Sequence, residues 1–331
     1  MIKLNLAIIG ASGVVGKSIL EILETLPHIN ITNLYLLSSI RSAGTVINFK
    51  NKEYVIQELT EDFFVNTNVN YAIFCASSNI SSHFAPIAVK NNCIVIDNSS
   101  VWRMDKDVPL IVPEVNKDKI HSHKGIIANP NCATIQGVLA LKPLQDAFGL
   151  KRVIYSTYQA VSGAGQGAIY DLLDGLELNT PPKNFVHPIA FNLIPQIDVF
   201  DKETGYTGEE QKIIDETKKI LSLNDLKITT TAVRVPIING HSISANIEFL
   251  RDFSIEEVVQ TFANAEGIAI VDDIEHNIYP MPLMASGKDH AYIGRIRRDF
   301  SVDFGINIFI SADNLRKGAA LNALQILELL I

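Results

Sequence analysis

Apolar residues come in short blocks at 3–9, 31–37, 71–76, 93–96 and 125–128, each of strand length and apolar almost throughout. Such blocks suit strands buried on both faces. Between them the apolar positions spread to every third or fourth residue, through Leu20, Ile22 and Leu26 after the first block and around 84–89 before the fourth, which is helical spacing. Strand and helix in alternation predict a doubly wound parallel sheet. Past the fifth block, Ile135, Val138, Leu139, Leu141 and Leu144 predict another helix. The rhythm then changes. A strand is predicted at 152–160, a helix through Ile169, Leu172 and Leu173, a long proline-containing connection over 179–206 and a charged helix over 208–221. A strand through Thr231 and Val235 follows, then a turn at Asn239-Gly240, an alternating strand at 242–249, and a closing helix over 314–330 with Asp313 as its cap.

With 331 residues, 19% of them charged and 47% hydrophobic, the chain is long enough for two domains and too apolar for disorder. No apolar run reaches the ~18 residues of a membrane span. The first residues pass straight into a strand without a signal-peptide pattern, so the mature chain is expected to begin there and to stay in the cytoplasm. A net charge of −8 argues against nucleic acid as a partner, and any anionic substrate has to be held by local basic residues. Three widely spaced cysteines, Cys75, Cys93 and Cys132, give neither a disulfide framework nor a zinc site, and His121 and His123 lack further ligands, so no metal is expected.

Cys75 and Cys93 lie inside apolar blocks and read as core. Cys132 differs. In Asn129-Pro130-Asn131-Cys132-Ala133-Thr134 it stands where a polar loop becomes a helix, and the dipole and unpaired N–H groups there favour a thiolate. A small buried side chain at a corner would fit the same place. The turn Gly10-Ala11-Ser12-Gly13-Val14-Val15-Gly16, between the first strand and helix, suits a pyrophosphate at a helix N-terminus, in the manner of a Rossmann-type domain; its spacing departs from GxGxxG, and a plain tight turn also needs glycine. No acid follows the second strand. Ser38-Ser39-Ile40-Arg41-Ser42 stands there instead and offers hydroxyls and a guanidinium to a 2′-phosphate, which predicts NADP over NAD. Other candidates are Arg103 in a loop past a strand end, Gln159, the glycine loop from Ser162 and Gly163, Arg234, and His241 at a glycine turn. Glu209 and Lys212, three apart on one helix, read locally as an ion pair, and His290 competes with His241 as a base.

In this order, these stretches resemble the aspartate-β-semialdehyde dehydrogenase family over essentially the whole chain. The others that carry the resemblance are Asp97-Asn98-Ser99-Ser100 with Arg103, Gln159 to Gly165, Arg234 to His241, and Asn314 to Asn322. The resemblance implies an NADP-binding domain of residues 1–131 with 314–331, and an α+β catalytic and dimerisation domain with a mixed sheet at 132–313. It implies reversible conversion of L-aspartyl-β-phosphate, NADPH and a proton to L-aspartate-β-semialdehyde, NADP and phosphate, on the route to lysine or diaminopimelate, methionine and threonine. Cys132 would form the thioester, His241 would act as acid/base, and Gln159 would lie beside it. Arg103 and Lys212 would hold phosphate, Arg234 the α-carboxylate and Glu209 the ammonium. Gly10, Ser12, Gly13, Val14, Val15, Ser39, Arg41, Ser42, Ser162, Gly163 and Asn314 would contact the cofactor, and the chain would form a homodimer.

One departure is that Ala133 stands where the family commonly has serine; a main-chain oxyanion contact is expected to survive it. The competing readings are an N-acetyl-glutamyl-phosphate reductase, a cysteine-histidine hydrolase, which would not need the glycine turn or Arg41, and a noncatalytic paralogue.

Overall fold

The computed structural model describes residues 4–177 and 180–331; Lys3 of the first predicted strand and Asn179 at the head of the predicted connection lie outside the described residues. The chain divides into two units, Met1–Pro130 with Ala319–Ile331, and Asn131–Gly318. Asn131 and residues 314–318 therefore group with the second unit, whereas the boundaries expected from sequence put them in the first.

The first unit is built on six parallel strands. In chain order its elements are β1 (Leu4–Ile9), α1 (Val14–Glu24), β2 (Ile31–Ser38), β3 (Val46–Phe49), β4 (Lys52–Val55), β5 (Gln57–Glu58), α2 (Glu61–Asn66), β6 (Tyr71–Phe74), α3 (Ser78–Lys90), β7 (Ile94–Asp97), α4 (Pro113–Asn116) and β8 (Ile126–Ala128). The sheet order is β5-β2-β1-β6-β7-β8. Every residue of β1 is buried, and its side chains serve two cores in turn. Leu6 and Ile8 pack with Ile19 and Leu23 of α1 and with Leu324 of the closing helix Leu321–Glu328, while Ala7 and Ile9 pack with Ala85 and Ala88 of α3. This two-sided burial is what the unbroken apolar block encodes. Strands β3 and β4 form a separate hairpin that the sequence pattern did not announce. Its two-residue loop is Lys50-Asn51, both at positive φ, a backbone that sequences usually mark with glycine.

The second unit comprises α5 (Cys132–Phe148), β9 (Leu150–Gln159), α6 (Gln166–Glu177), α7 (Gly208–Leu221), β10 (Lys227–Arg234), β11 (His241–Phe249), α8 (Ile255–Ala263), β12 (Ile268–Ile270), α9 (Pro282–Ala285), β13 (Ala291–Asp299) and β14 (Gly305–Ala312). Its sheet, β10-β9-β11-β14-β13-β12, is mixed, with parallel pairs at both edges and antiparallel pairs between them. Burial alternates along the central strands: Val153, Tyr155, Thr157 and Gln159 of β9 and Ile243, Ala245 and Ile247 of β11 are buried on the face that α5 covers. Ile154, Ser156, Ser244 and Asn246, on the other face, are half-buried and Tyr158 is exposed.

The closing helix departs from expectation at its start. Asp313 does cap a turn, its Oδ1 accepting from the N–H groups of Leu315 and Arg316, but residues Arg316–Ala320 form a π-helical turn before the α-helix begins at Leu321. The small side chains Gly318-Ala319-Ala320 let that wide turn pack closely. No helix among the described residues is long and apolar enough to cross a membrane.

Candidate active site

Strand register brings the polar residues of the second unit together. Gln159 ends β9 on the face turned to α5, Arg234 ends β10 directly opposite it, and His241 begins β11 two residues before the buried Ile243. Cys132 is the first residue of α5. Its half-buried Sγ lies 3.2 Å from His241 Nε2. His241 is fully buried, and its Nδ1 accepts the backbone N–H of Ala160 at 3.0 Å. Burial holds its imidazole well below the ordinary pKa, and the nearby Arg234 guanidinium pushes the same way, so the ring is neutral near pH 7. The competing His290 is exposed, with Tyr292 as its ring neighbour. Cys75 and Cys93 are unsuited to nucleophilic work: burial pushes both thiols up, Cys93 to about 12, and Asp97 adds to the effect at Cys75.

Asn131 caps α5, the helix that Cys132 opens. Its Oδ1 accepts from the N–H groups of Ala133 (2.9 Å) and Thr134 (3.2 Å), the side-chain cap that α5 needs. The Ala133 N–H is thus engaged by the cap. Asn131 also donates from Nδ2 to Glu209 Oε1 at 2.8 Å and from its backbone N–H to Glu216 Oε2 at 2.7 Å. Gln159 Nε2 reaches the same Glu209 oxygen at 3.0 Å. A capping box of Thr207 and Glu210 starts α7, and Glu209 and Glu216, seven apart, share one face of it. Lys212 Nζ lies 3.9 Å from Glu209 Oε2 and 2.5 Å from Asp198 Oδ2, so its tighter partner is Asp198.

Arg234 is 5% exposed and donates from Nη1 to Ala160 O at 2.7 Å, while its buried Nε has no hydrogen-bond partner among the described residues. Burial lowers its pKa, with Glu209 and Cys132 opposing the shift. A buried guanidinium with an unfilled donor is suited to a carboxylate from outside the chain. Gly163 lies against these groups; a Cβ there would be 3.2 Å from Arg234 Nη1 and 3.3 Å from His241 Nε2. Asn314 ties the neighbouring turns together, accepting from the Gly240 N–H at 2.8 Å and donating to Ser162 Oγ at 2.9 Å. Gly318 touches Cys132, where a Cβ would come within 3.0 Å of Cys132 Cβ. Asn131, the Ala160 peptide, Glu216 and Gly318 were not singled out from sequence. Of these, only Asn131 carried a signal, an Asn immediately before a helix.

The remaining predicted residues belong to the first unit. Gly10 (φ +86°) could not carry a side chain, since a Cβ would lie 2.6 Å from Cys75 O. Helix α1 begins after Gly13 with no side-chain cap, leaving Val14 and Val15 at an N-terminus open to an anion. Ser12 Oγ meets Ser38 Oγ at 2.9 Å and Ser42 Oγ at 3.2 Å. Gly10, Ser12, Gly13, Ser38 and Ser42, with Ser39, Arg41 and Ala76, line a cleft of about 710 Å³. Arg41 is exposed and makes no ion pair among the described residues. Backbone cradle, uncapped helix, hydroxyl cluster and free guanidinium together fit a phosphorylated dinucleotide. The cleft also holds an acid that the sequence reading did not weigh, Glu58 of β5, paired in register with Ser38. Arg103 is 8% exposed and donates from Nη2 to Asn98 O at 2.7 Å, close enough to Asp97 to draw its carboxyl down against a larger upward push from burial.

Two family models match the chain: semialdehyde dehydrogenase, NAD binding domain, over residues 5–123, and semialdehyde dehydrogenase, dimerisation domain, over residues 141–317. The chain is 47% identical to the aspartate-semialdehyde dehydrogenase of Aquifex aeolicus (strain VF5), covering 99% of this chain and 98% of that one. It is 46% identical to the Bacillus subtilis (strain 168) protein of the same name, at 98% and 96% coverage. Among solved structures it resembles aspartate semialdehyde dehydrogenase II from Vibrio cholerae complexed with ASA, with a TM-score of 0.93, 40% identity, and coverage of 100% of this chain and 98% of that one.

Proposed function

Because the chain belongs to the semialdehyde dehydrogenase family, we propose that it interconverts L-aspartyl-β-phosphate and L-aspartate-β-semialdehyde through a thioester on Cys132. The observation that carries this reading is Cys132 Sγ 3.2 Å from a buried His241, beside a guanidinium with an unfilled donor and a carboxylate. Cys132 attacks the acyl phosphate carbon and expels phosphate, giving the thioester; the reverse reaction is attack of phosphate on that thioester. NADPH supplies the hydride that reduces it. Arg234 grips the α-carboxylate and Glu209 receives the ammonium, while Gln159 steadies Glu209. Arg103 and Lys212 take the phosphate, Lys212 doing so from its ion pair with Asp198.

The dinucleotide is held by Gly10, Ser12, Gly13, Val14 and Val15 at the turn, by Ser39, Arg41 and Ser42 at the 2′-phosphate, and by Ser162, Gly163 and Asn314 from the second unit. The enzyme works as a cytoplasmic homodimer without nucleic acid or membrane. Its product feeds lysine or diaminopimelate, methionine and threonine synthesis.

The experiment is phosphate-dependent reduction of NADP by the chain with aspartate-β-semialdehyde. Turnover that requires phosphate is the expected result. Turnover with an N-acetylated, one-carbon-longer semialdehyde in its place would transfer the assignment to an N-acetyl-glutamyl-phosphate reductase.

A further inference from the structure

We infer that Glu58 reads the base of the dinucleotide, its carboxylate accepting a hydrogen bond from the 6-amino group of adenine. The inference rests on the reading of the cleft in the first unit as the dinucleotide site. It starts from sheet order. Strands β1, β2 and β5 are consecutive neighbours at one side of the parallel sheet, and the C-terminal end of each opens on the cleft. The first delivers the glycine turn, the second Ser38 and the loop with Ser39, Arg41 and Ser42, and the third Glu58 and then Leu59. Neighbouring strands lie about 4.8 Å apart, so β5 stands roughly 10 Å out from β1. The adenosine half of a phosphorylated dinucleotide runs in the same order: pyrophosphate, ribose with its 2′-phosphate, base. With the pyrophosphate at the glycine turn and the 2′-phosphate at Arg41, the base falls to β5.

The lining of the cleft suits a base. Beside the hydroxyl cluster it includes the apolar side chains Ile40, Leu59, Ile80 and Phe84. Apolar walls accept a flat ring without telling one purine from another, so selection needs a polar group among them. Among the described residues that line the cleft, Glu58 alone carries a carboxylate. Register turns it inward. Glu58 is paired with Ser38 in the parallel ladder, and paired residues of neighbouring strands turn their side chains to one face, here the face on which Ser38 Oγ meets Ser12 Oγ. The Leu59 N–H bonds to Ser38 O at 2.9 Å and holds the strand end in place.

The Glu58 carboxylate is exposed and makes no hydrogen bond or ion pair among the described residues. An ionised carboxylate can only accept, so it needs a donor from the ligand. Beside the 2′-phosphate it would face like charge, which leaves the N–H group farthest from that phosphate, the exocyclic amine of adenine. A purine with a carbonyl at C6 sets an acceptor against an acceptor. That mismatch is what makes the cleft selective.

The test is calorimetric titration of the unsubstituted chain and of Glu58→Gln, without substrate, with NADP and with nicotinamide hypoxanthine dinucleotide phosphate. The unsubstituted chain should bind NADP at least about tenfold more tightly, the loss expected for one hydrogen bond to a charged group. Glutamine offers both an acceptor and a donor, so in Glu58→Gln the two affinities should come within about twofold of each other. Removing a charge near a phosphate shifts both affinities together, and the ratio therefore isolates the contact with the base. Glu58 is exposed, so the variant should keep its circular dichroism spectrum. Equal binding of the two ligands by the unsubstituted chain would overturn the inference. A preference that survives in Glu58→Gln would do the same, because another group would then read the base. An equal loss of both ligands in the variant would put the carboxylate on the ribose, again against the inference. If NADP itself does not bind, the dinucleotide reading fails with it, whereas equal binding of both ligands leaves that reading standing.

Discussion

The two oxygens of Glu209 are in different situations. Oε1 accepts from Asn131 and Gln159, while Oε2 has, among the described residues, only Lys212, at 3.9 Å, and that lysine is engaged by Asp198. In Glu209→Gln the amide oxygen can keep the Oε1 contacts, and the NH₂ group then takes the place of Oε2, where we propose the substrate ammonium binds, so charge is removed while the network around α5 stays. Losing one charged hydrogen bond costs about 1.5–3 kcal/mol, or roughly 10- to 150-fold in kcat/KM for the free-amine semialdehyde, and preference over an N-acetylated analogue should narrow with it. Equal kcat/KM in both proteins would remove Glu209 from ammonium binding. Arg41 poses the cofactor question in the same way. With no ion pair of its own, it is free for a 2′-phosphate, and Arg41→Ala should weaken NADP by a similar factor while leaving NAD unchanged, as read by fluorescence titration of both dinucleotides. If both weaken equally, Glu58 becomes the ribose ligand and the preference for NADP fails. Cys132 and Arg41 could be singled out from sequence because their chemistry is in their side chains, whereas His241 shared its candidacy with His290 and was separated from it only by the family resemblance. The Ala160 peptide could not, since every residue has an N–H and only the fold decides which one meets Nδ1.

Elements whose signal is a run of side chains were readable, and those set by a few contacts were not. The unbroken apolar block of β1 and the helical spacing of α5 predicted what formed, because burial of a whole face decides them. The β3–β4 hairpin and the π-helical turn at Arg316–Ala320 depend on positive φ at Lys50 and Asn51 and on close packing at Gly318, which no periodicity encodes. The connection after α6 is another such case, and Asp171 organises its start. Its carboxylate accepts from the N–H groups of Lys183 (2.9 Å), Asn184 (2.7 Å) and Phe185 (2.9 Å) and from Asn184 Nδ2 (3.1 Å). Burial pushes its pKa up, but these four donors outweigh that and hold it below the ordinary carboxylate value. A carboxyl depressed on folding adds stability in full above about pH 3.9, and that stability is lost as pH falls through the lower folded value. Asp171→Asn should therefore lower stability near neutral pH by about 1–3 kcal/mol and reduce the acid-induced loss below about pH 4, measured as urea midpoints across pH. A variant with the same midpoints and the same acid limb would mean that the clamp does not bear on folding.

For the whole molecule the open question is what covers the far face of the second sheet. One face is filled by α5 and α8, while the other presents half-buried Ile154, Ser156, Ser244, Asn246 and Phe309 with exposed Tyr158. Tyr158 and Phe309 lie with ring centroids 6.3 Å apart, and beside them is a recess of about 390 Å³ bounded by Tyr279, Met281, Arg295 and Arg297. An antiparallel sheet can face water on one side, but its outward residues are then mostly polar, and this face carries aromatic and aliphatic side chains at its centre. A second copy related by a two-fold axis would bury it, in keeping with the dimerisation domain that matches residues 141–317. Phe309→Glu puts a carboxylate at the middle of that face. In a two-fold contact it enters twice, desolvated and facing its own like charge, which should weaken association by at least about 100-fold. Sedimentation equilibrium should give twice 36.5 kDa for the unsubstituted chain and 36.5 kDa for the variant at micromolar concentration, with an unchanged circular dichroism spectrum. A folded Phe309→Glu that still sediments at the doubled mass would move the interface to another surface of the second unit, where Phe191, Leu283 and Phe300 are the most exposed apolar side chains.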